Sequence, residues 1–149
     1  VSDERTCGGS GELPPLNETF LEHALTPSNL GMLPQPEAYG CHQRVCGDSL
    51  ELYLRVREGV IADARFMTEG CMATIACGSA LTSLIKGKTV QEAAQVTPEA
   101  VQEATGGLPP GEEHCAELAV DSLRQAVSDY YAKLHHPWKA FYGQRPPRS

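Results

Sequence analysis

The stretch CGDSLELYLRVREGVIADARFMTEGC, residues 46–71, decides how the rest of the chain is read. Leu50, Leu52, Leu54 and Val56 alternate with Ser49, Glu51, Tyr53 and Arg55, the period-two pattern of a half-buried strand. A second run places Val60, Ala62, Ala64 and Phe66 on one face. Only Glu58 and Gly59 separate the two runs, which suits a two-residue hairpin turn. With Arg57 paired to Val60, an unbroken register sets Cys46 opposite Cys71 and puts Asp48 on the face of Cys46. A single bulge would move that register. The open end of the hairpin is thus expected to gather two thiols and a carboxylate.

Downstream the pattern turns helical. Cys77, Leu81, Leu84 and Ile85 form a stripe at helical spacing that ends at Gly87. Short helices are predicted over residues 89–95 and 98–104, followed by the breaker GGLPPG at 106–111. A long last helix is predicted over residues 112–134, with an acidic first turn and an apolar stripe of Cys115, Ala119, Leu123, Ala126, Tyr130 and Leu134. Upstream, residues 16–25 read as a short helix stopped by Thr26-Pro27. Residues 26–45, with Pro27, Pro34, Pro36, Gly31 and Gly40, read as a loop. Residues 1–15 read as a flexible leader, 16–134 as one folded domain, and 135–149 as a tail.

The 149 residues suffice for one domain with a real core. Nineteen acidic against twelve basic side chains give a formal charge of −7, which argues against nucleic acid and anionic membrane as partners. No apolar run reaches the ~20 residues of a membrane span. The polar, Gly/Pro-rich first fifteen residues lack the apolar core of a signal peptide. The expectation is a cytoplasmic protein with reduced thiols.

There are six cysteines: Cys7, Cys41, Cys46, Cys71, Cys77 and Cys115. They form no C-x-x-C pair and match no compact metal-finger spacing, so any metal site must join distant segments. Cys71 and Cys115 each fall in the first turn of a predicted helix, where free N–H groups and the macrodipole favour a thiolate. His114 directly precedes Cys115. Three cysteines, an aspartate and a histidine are a plausible donor set for zinc or an iron–sulfur cluster. Cys77 shares its stripe with leucines and reads as core filler. His23 reads as a surface or capping group, His42 as an exposed loop histidine, and His135-His136 as part of the tail.

These residues also carry a family resemblance. CGD at residues 46–48, GC at 70–71 heading a helix, and LPP…HC over 108–115, supported by ADARF at 62–66 and IKGKTVQEA at 85–93, resemble the IscU/NifU-type iron–sulfur cluster assembly scaffolds. The resemblance covers residues 16–133. The histidine before the third cysteine is closer to the IscU/NifU branch than to the SufU branch. One departure is clear. The family pattern LPPVK, read by a DnaK-type chaperone, is LPPGE here, and Glu112 reverses the charge of its lysine. That argues against the chaperone partnership.

The resemblance implies that Cys46, Cys71 and Cys115 ligate the cluster. It implies further that Asp48 makes the cluster labile, that His114 is an additional ligand, and that Cys115 accepts sulfur. The expected fold is α+β: a small antiparallel sheet of about three strands, built on the hairpin, packed against several helices and closed by a long C-terminal helix. The implied function is that of a scaffold rather than an enzyme. It would build a [2Fe–2S] cluster from iron and the sulfur of an IscS/NifS-type cysteine desulfurase, then pass it to apo iron–sulfur proteins. Ferredoxin and an iron donor are further candidate partners, and monomer and homodimer both stay open. A small zinc-binding structural or regulatory protein using the same thiols, Asp48 and His114 is the alternative. A thiol oxidoreductase is disfavoured by the missing dithiol motif.

Overall fold

A computed structural model describes residues 18–44 and 47–135. The expected leader, Cys7, Cys46 and the tail beyond His135 lie outside the described residues. The elements run α1 (Glu18–Leu25), β1 (Ala38–Gln43), β2 (Ser49–Arg57), β3 (Val60–Glu69), α2 (Met72–Ile85), α3 (Val90–Ala93), α4 (Pro98–Ala104) and α5 (Glu113–His135). The strands form one antiparallel sheet in the order β1-β2-β3. Helices α2 and α5 cover one face of it. The α+β architecture expected from the sequence is the one observed.

The hairpin forms where the alternation placed it, with Arg57 opposite Val60. Glu58 and Gly59 both have positive φ, 54° and 77°, as a type I′ turn requires. The register then changes. Val56 pairs with Ile61 but Arg55 pairs with Asp63, so Ala62 is the extra residue of a β-bulge. The inward face of β3 is therefore Ile61, Ala64 and Phe66, all fully buried, while Ala62 is exposed. Beyond the bulge Ser49 stands opposite Glu69, one residue off the unbroken register. The expected Cys46–Cys71 pairing does not follow from this ladder, which ends before either residue.

The second correction is β1. It lies within the segment read as a loop, because Ala38, Gly40 and His42 alternate without a large apolar side chain. Gly40 explains why none is present: a Cβ there would strike the Ser122 carbonyl and the Ala126 backbone of α5. Close approach of strand and helix replaces side-chain burial at this point. Asp129 of α5 also accepts from the Tyr39 N–H at 3.1 Å, and Ser122 Oγ donates to the Leu50 carbonyl at 2.9 Å.

Helix α2 is buried on nearly every side, from Ala73 through Ile85. Its small residues permit this: a Cβ at Gly78 would lie 2.9 Å from Cγ of Phe66. Cys77 is fully buried in the core, as expected. Polar groups on α2 are paired, Ser79 with His23 Nδ1 at 2.7 Å and with the Ser28 N–H at 2.9 Å. His23 thus ties α1 to α2. Helix α3 carries a Thr89–Glu92 capping box, and Thr97 caps α4 ahead of Pro98. The stripe of α5 is buried through Ala126 but fades to a 55% exposed Leu134.

Candidate metal centre

Three chain segments converge beside the start of β2. Asp48 stands just before that strand, its carbonyl accepting from the Arg44 N–H at 2.8 Å. Cys71 is the N-cap of α2, in extended backbone with φ −81° and ψ 178°. Its carbonyl accepts from the Ile75 N–H at 3.1 Å. Cys115 lies in the first turn of α5, its N–H donating to the Glu112 carbonyl at 3.0 Å. Gly70 has a reason to be glycine: a Cβ there would lie 2.9 Å from the Thr74 side chain.

The side chains meet around Cys115. Its Sγ is 3.9 Å from Sγ of Cys71, 3.7 Å from Nε2 of His114 and 3.6 Å from Oε1 of Glu112. The ligand atoms of Asp48, His114 and Cys115 lie within 4.8 Å of one another, and so do those of Cys71, Glu112 and Cys115. Four of the five residues expected from the sequence therefore come together, and the fifth, Cys46, lies outside the described residues. Cysteine sulfur, imidazole nitrogen and carboxylate oxygen are a donor set for zinc or iron.

Two groups were not anticipated. Thr74, fully buried, places Oγ1 3.4 Å from Cys115 Sγ, 3.6 Å from Cys71 Sγ and 3.5 Å from Asp48 Oδ2. Its position three residues into α2 was the available signal, since a first-turn hydroxyl faces the N-cap side chain. Glu112, noted in the sequence as a charge reversal at the acidic start of the last helix, lies 3.7 Å from Cys71 Sγ with its Oε1.

The expected thiolate preference holds for Cys71 and is reversed for Cys115. The Cys71 thiol is lowered to about 5, first by the hydrogen bond from Cys115 and then, against the cost of burial, by Thr74 and the amide of Ala73. The same hydrogen bond raises the Cys115 thiol, and burial raises it further. The pair gives up its first proton readily and holds the second. Cys71 is exposed whereas Cys115 is buried. Burial pushes Cys77 up to about 12.

Cys41 sits on β1, opposite Glu51. Its neighbours on that sheet face are Tyr39 and Tyr53, and its thiol is raised by burial and then by the Glu51 charge. It belongs to neither donor set. His42 lies 3.7 Å from Asp121 and 3.2 Å from Gln125 of α5, also apart from the centre.

In reduced, metal-free protein at neutral pH, iodoacetamide should modify Cys71 first among the four described thiols and Cys77 last. The Cys71 rate should fall only as pH drops toward about 5, because the thiolate is the nucleophile. Peptide mapping over time checks the order; equal rates at Cys71 and Cys77 would contradict it.

Comparison with known proteins agrees with this geometry. Residues 16–136 match the family model described as NifU-like N terminal domain. The chain is 41% identical over 118 residues to "Iron-sulfur cluster assembly scaffold protein IscU 1" of Archaeoglobus fulgidus, covering 78% of this chain and 77% of that protein. It is 40% identical over 120 residues to the scaffold protein IscU of Aquifex aeolicus, covering 78% and 76%. The fold resembles the crystal structure of a NifU-like N-terminal protein from Brucella abortus, with TM-score 0.65 at 19% identity over 78% of this chain and 94% of that one. It also resembles an iron–sulfur scaffold for the SUF system from Fervidobacterium islandicum, with TM-score 0.61 at 19% identity over 74% and 95%. The chain belongs to the IscU/NifU-type family of iron–sulfur cluster assembly scaffolds, a family of non-catalytic carriers, and carries its N-terminal NifU domain.

Proposed function

We propose that this protein assembles a [2Fe–2S] cluster in the cytoplasm from iron and desulfurase-derived sulfur, and passes it to apo iron–sulfur proteins. The observation that supports this best is the convergence of Cys71, Cys115, Asp48 and His114 at the heads of two helices. Each iron of a [2Fe–2S] unit shares two sulfides and takes two protein donors, four in all. Cys46, Cys71 and Cys115 supply three, and Asp48 or His114 the fourth. The helix N-termini behind Cys71 and Cys115 offset the negative charge of such a cargo. A carboxylate is a harder donor than a thiolate and yields its place more easily to an incoming cysteine. A carrier needs that weakness.

Sulfur arrives as a persulfide on the desulfurase cysteine. A thiolate of the scaffold attacks the outer sulfur, the S–S bond breaks, and the desulfurase cysteine leaves as thiolate. Conversion of that sulfur to sulfide then takes two electrons, which a ferredoxin or a small thiol supplies. Cys115 is the proposed acceptor. It is buried next to Cys71 and Glu112 and holds its proton beside Cys71, so transfer to it requires the site to open and Cys115 to ionise. The exposure and acidity of Cys71 favour it as the alternative acceptor.

The test is anaerobic incubation with desulfurase, cysteine and ferrous iron, followed by visible spectroscopy and transfer to an apo-ferredoxin. A transferable cluster is expected, with persulfide on Cys115 by mass spectrometry before iron is added; persulfide confined to Cys71 would reassign the acceptor. Asp48→Ala is expected to hold its cluster longer and transfer it more slowly, and faster loss in air would reverse the role given to Asp48. Tight zinc binding with no cluster formed would favour a zinc protein instead.

A further inference from the structure

The donor atoms fall into two sets of three that share only Cys115: Asp48 with His114, and Cys71 with Glu112. Within the second set, Glu112 does not belong to the ligands implied by the family pattern, which has lysine where this chain has Glu112. We propose that the Glu112 carboxylate is a metal ligand in this protein, holding a divalent cation together with Cys71 and Cys115. The inference deepens the scaffold reading and takes its metal site from it.

Three observations carry it. Oε1 of Glu112 stands 3.6 Å from one thiol and 3.7 Å from the other, so a cation between them needs only small side-chain rotations to reach bonding distance. The backbone is held for this: the Glu112 N–H donates to the Pro109 carbonyl at 3.1 Å, and the Glu112 carbonyl accepts from the Cys115 N–H at 3.0 Å. The carboxylate therefore enters on the same turn that starts α5 and moves with Cys115. Finally, no Lys or Arg forms an ion pair with Glu112 among the described residues. Among those residues the half-buried carboxylate accepts only from the two thiols and has His114 nearby, and once the thiols ionise a cation would satisfy all three donors.

A lysine at this position would place a positive charge against both sulfurs and oppose cation entry. Glutamate adds an oxygen donor there, so that metal can be held through Cys71 and Cys115 without the Asp48 side. The centre then has one carboxylate in each donor set, Asp48 in one and Glu112 in the other.

The experiment is an anaerobic Co2+ titration of the full chain, read from the sulfur-to-cobalt charge-transfer and ligand-field bands. Five proteins are compared: wild type, Glu112→Gln, E112K, the double variant Asp48→Ala/His114→Ala, and that double variant with Glu112→Gln added. Glu112→Gln keeps the shape and removes the charge, and should weaken Co2+ binding about 10-fold or more. E112K should weaken it further. The double variant should still bind Co2+ with charge-transfer bands, and adding Glu112→Gln to it should weaken binding by a further factor of about 10 or more. Thermal melts confirm that each variant is folded; Glu112 is only half-buried, so folding should be kept. Unchanged Co2+ affinity in folded Glu112→Gln would overturn the proposal, as would a double variant indifferent to the added change. A wild type that binds Co2+ through Glu112 but assembles no cluster would sink the scaffold reading and leave the ligand assignment standing.

Discussion

Cys115→Ser should abolish stable cluster assembly, the largest functional effect expected of any single substitution in the described structure. Cys115 is the one atom shared by both donor sets, so its loss breaks the site on both sides at once. A serine hydroxyl stays protonated near neutrality and is a poor donor for iron beside soft sulfide. The variant should nonetheless fold. The side chain is nearly isosteric, and Thr74 Oγ1 and Glu112 Oε1 stand close enough to pair with the new hydroxyl. Metal affinity should drop by more than the ~10–100-fold typical of losing an outer-shell partner. Anaerobic reconstitution followed by visible absorption measures it, with Cys77→Ser as a control that leaves all donor atoms in place. A full-yield, spectrally unaltered cluster in Cys115→Ser would remove this residue from the ligand set.

The largest effect on stability is expected from Gly40→Ala. The added Cβ would meet the carbonyl oxygen of Ser122 and the nitrogen of Ala126 well inside van der Waals contact, with the Ala126 Cα at 3.0 Å. These are backbone atoms and cannot rotate away. Helix α5 cannot retreat cheaply either, because Ser122 bonds β2 and Asp129 bonds β1. The strand and helix must part, at a cost of about 3 kcal/mol, the upper range for overpacking. For a domain of this size that is roughly 10 °C in Tm. Urea and thermal unfolding of the metal-free protein measure it, and an unchanged midpoint would mean that β1 and α5 do not pack this closely. Because α5 carries Cys115, the same change should also loosen the centre.

The parts legible in the sequence were those determined by neighbours along the chain. The β2–β3 hairpin follows from alternation and from Glu58-Gly59, where glycine supplies the positive φ at little cost. Helices α3 and α4 fall within the short helices expected over residues 89–95 and 98–104, and the GGLPPG breaker announced the start of α5. Since Cys71 and Cys115 were each adjacent to a helix start, their placement at helix N-termini came with those elements. The family motifs added the expectation that Asp48 and His114 join them, and the structure brings these four together.

What the tertiary structure alone decided depends on contacts between distant segments. Nothing local marks Ala62 as a bulge; it is the packing of Ile61 and Phe66 against one core that shifts the register there. Strand β1 carries no hydrophobic alternation because its burial comes from backbone approach at Gly40, which leaves no side-chain signature. The acidity order of the two central thiols is set by one hydrogen bond between residues 44 positions apart. Each thiol alone, at a helix N-terminus, would favour the thiolate; only as neighbours must one keep its proton so that the other can lose it. Glu112 follows the same rule. In sequence it is a reversed charge at the end of a loop, and only the turn that brings it to Cys71 and Cys115 makes it a donor atom.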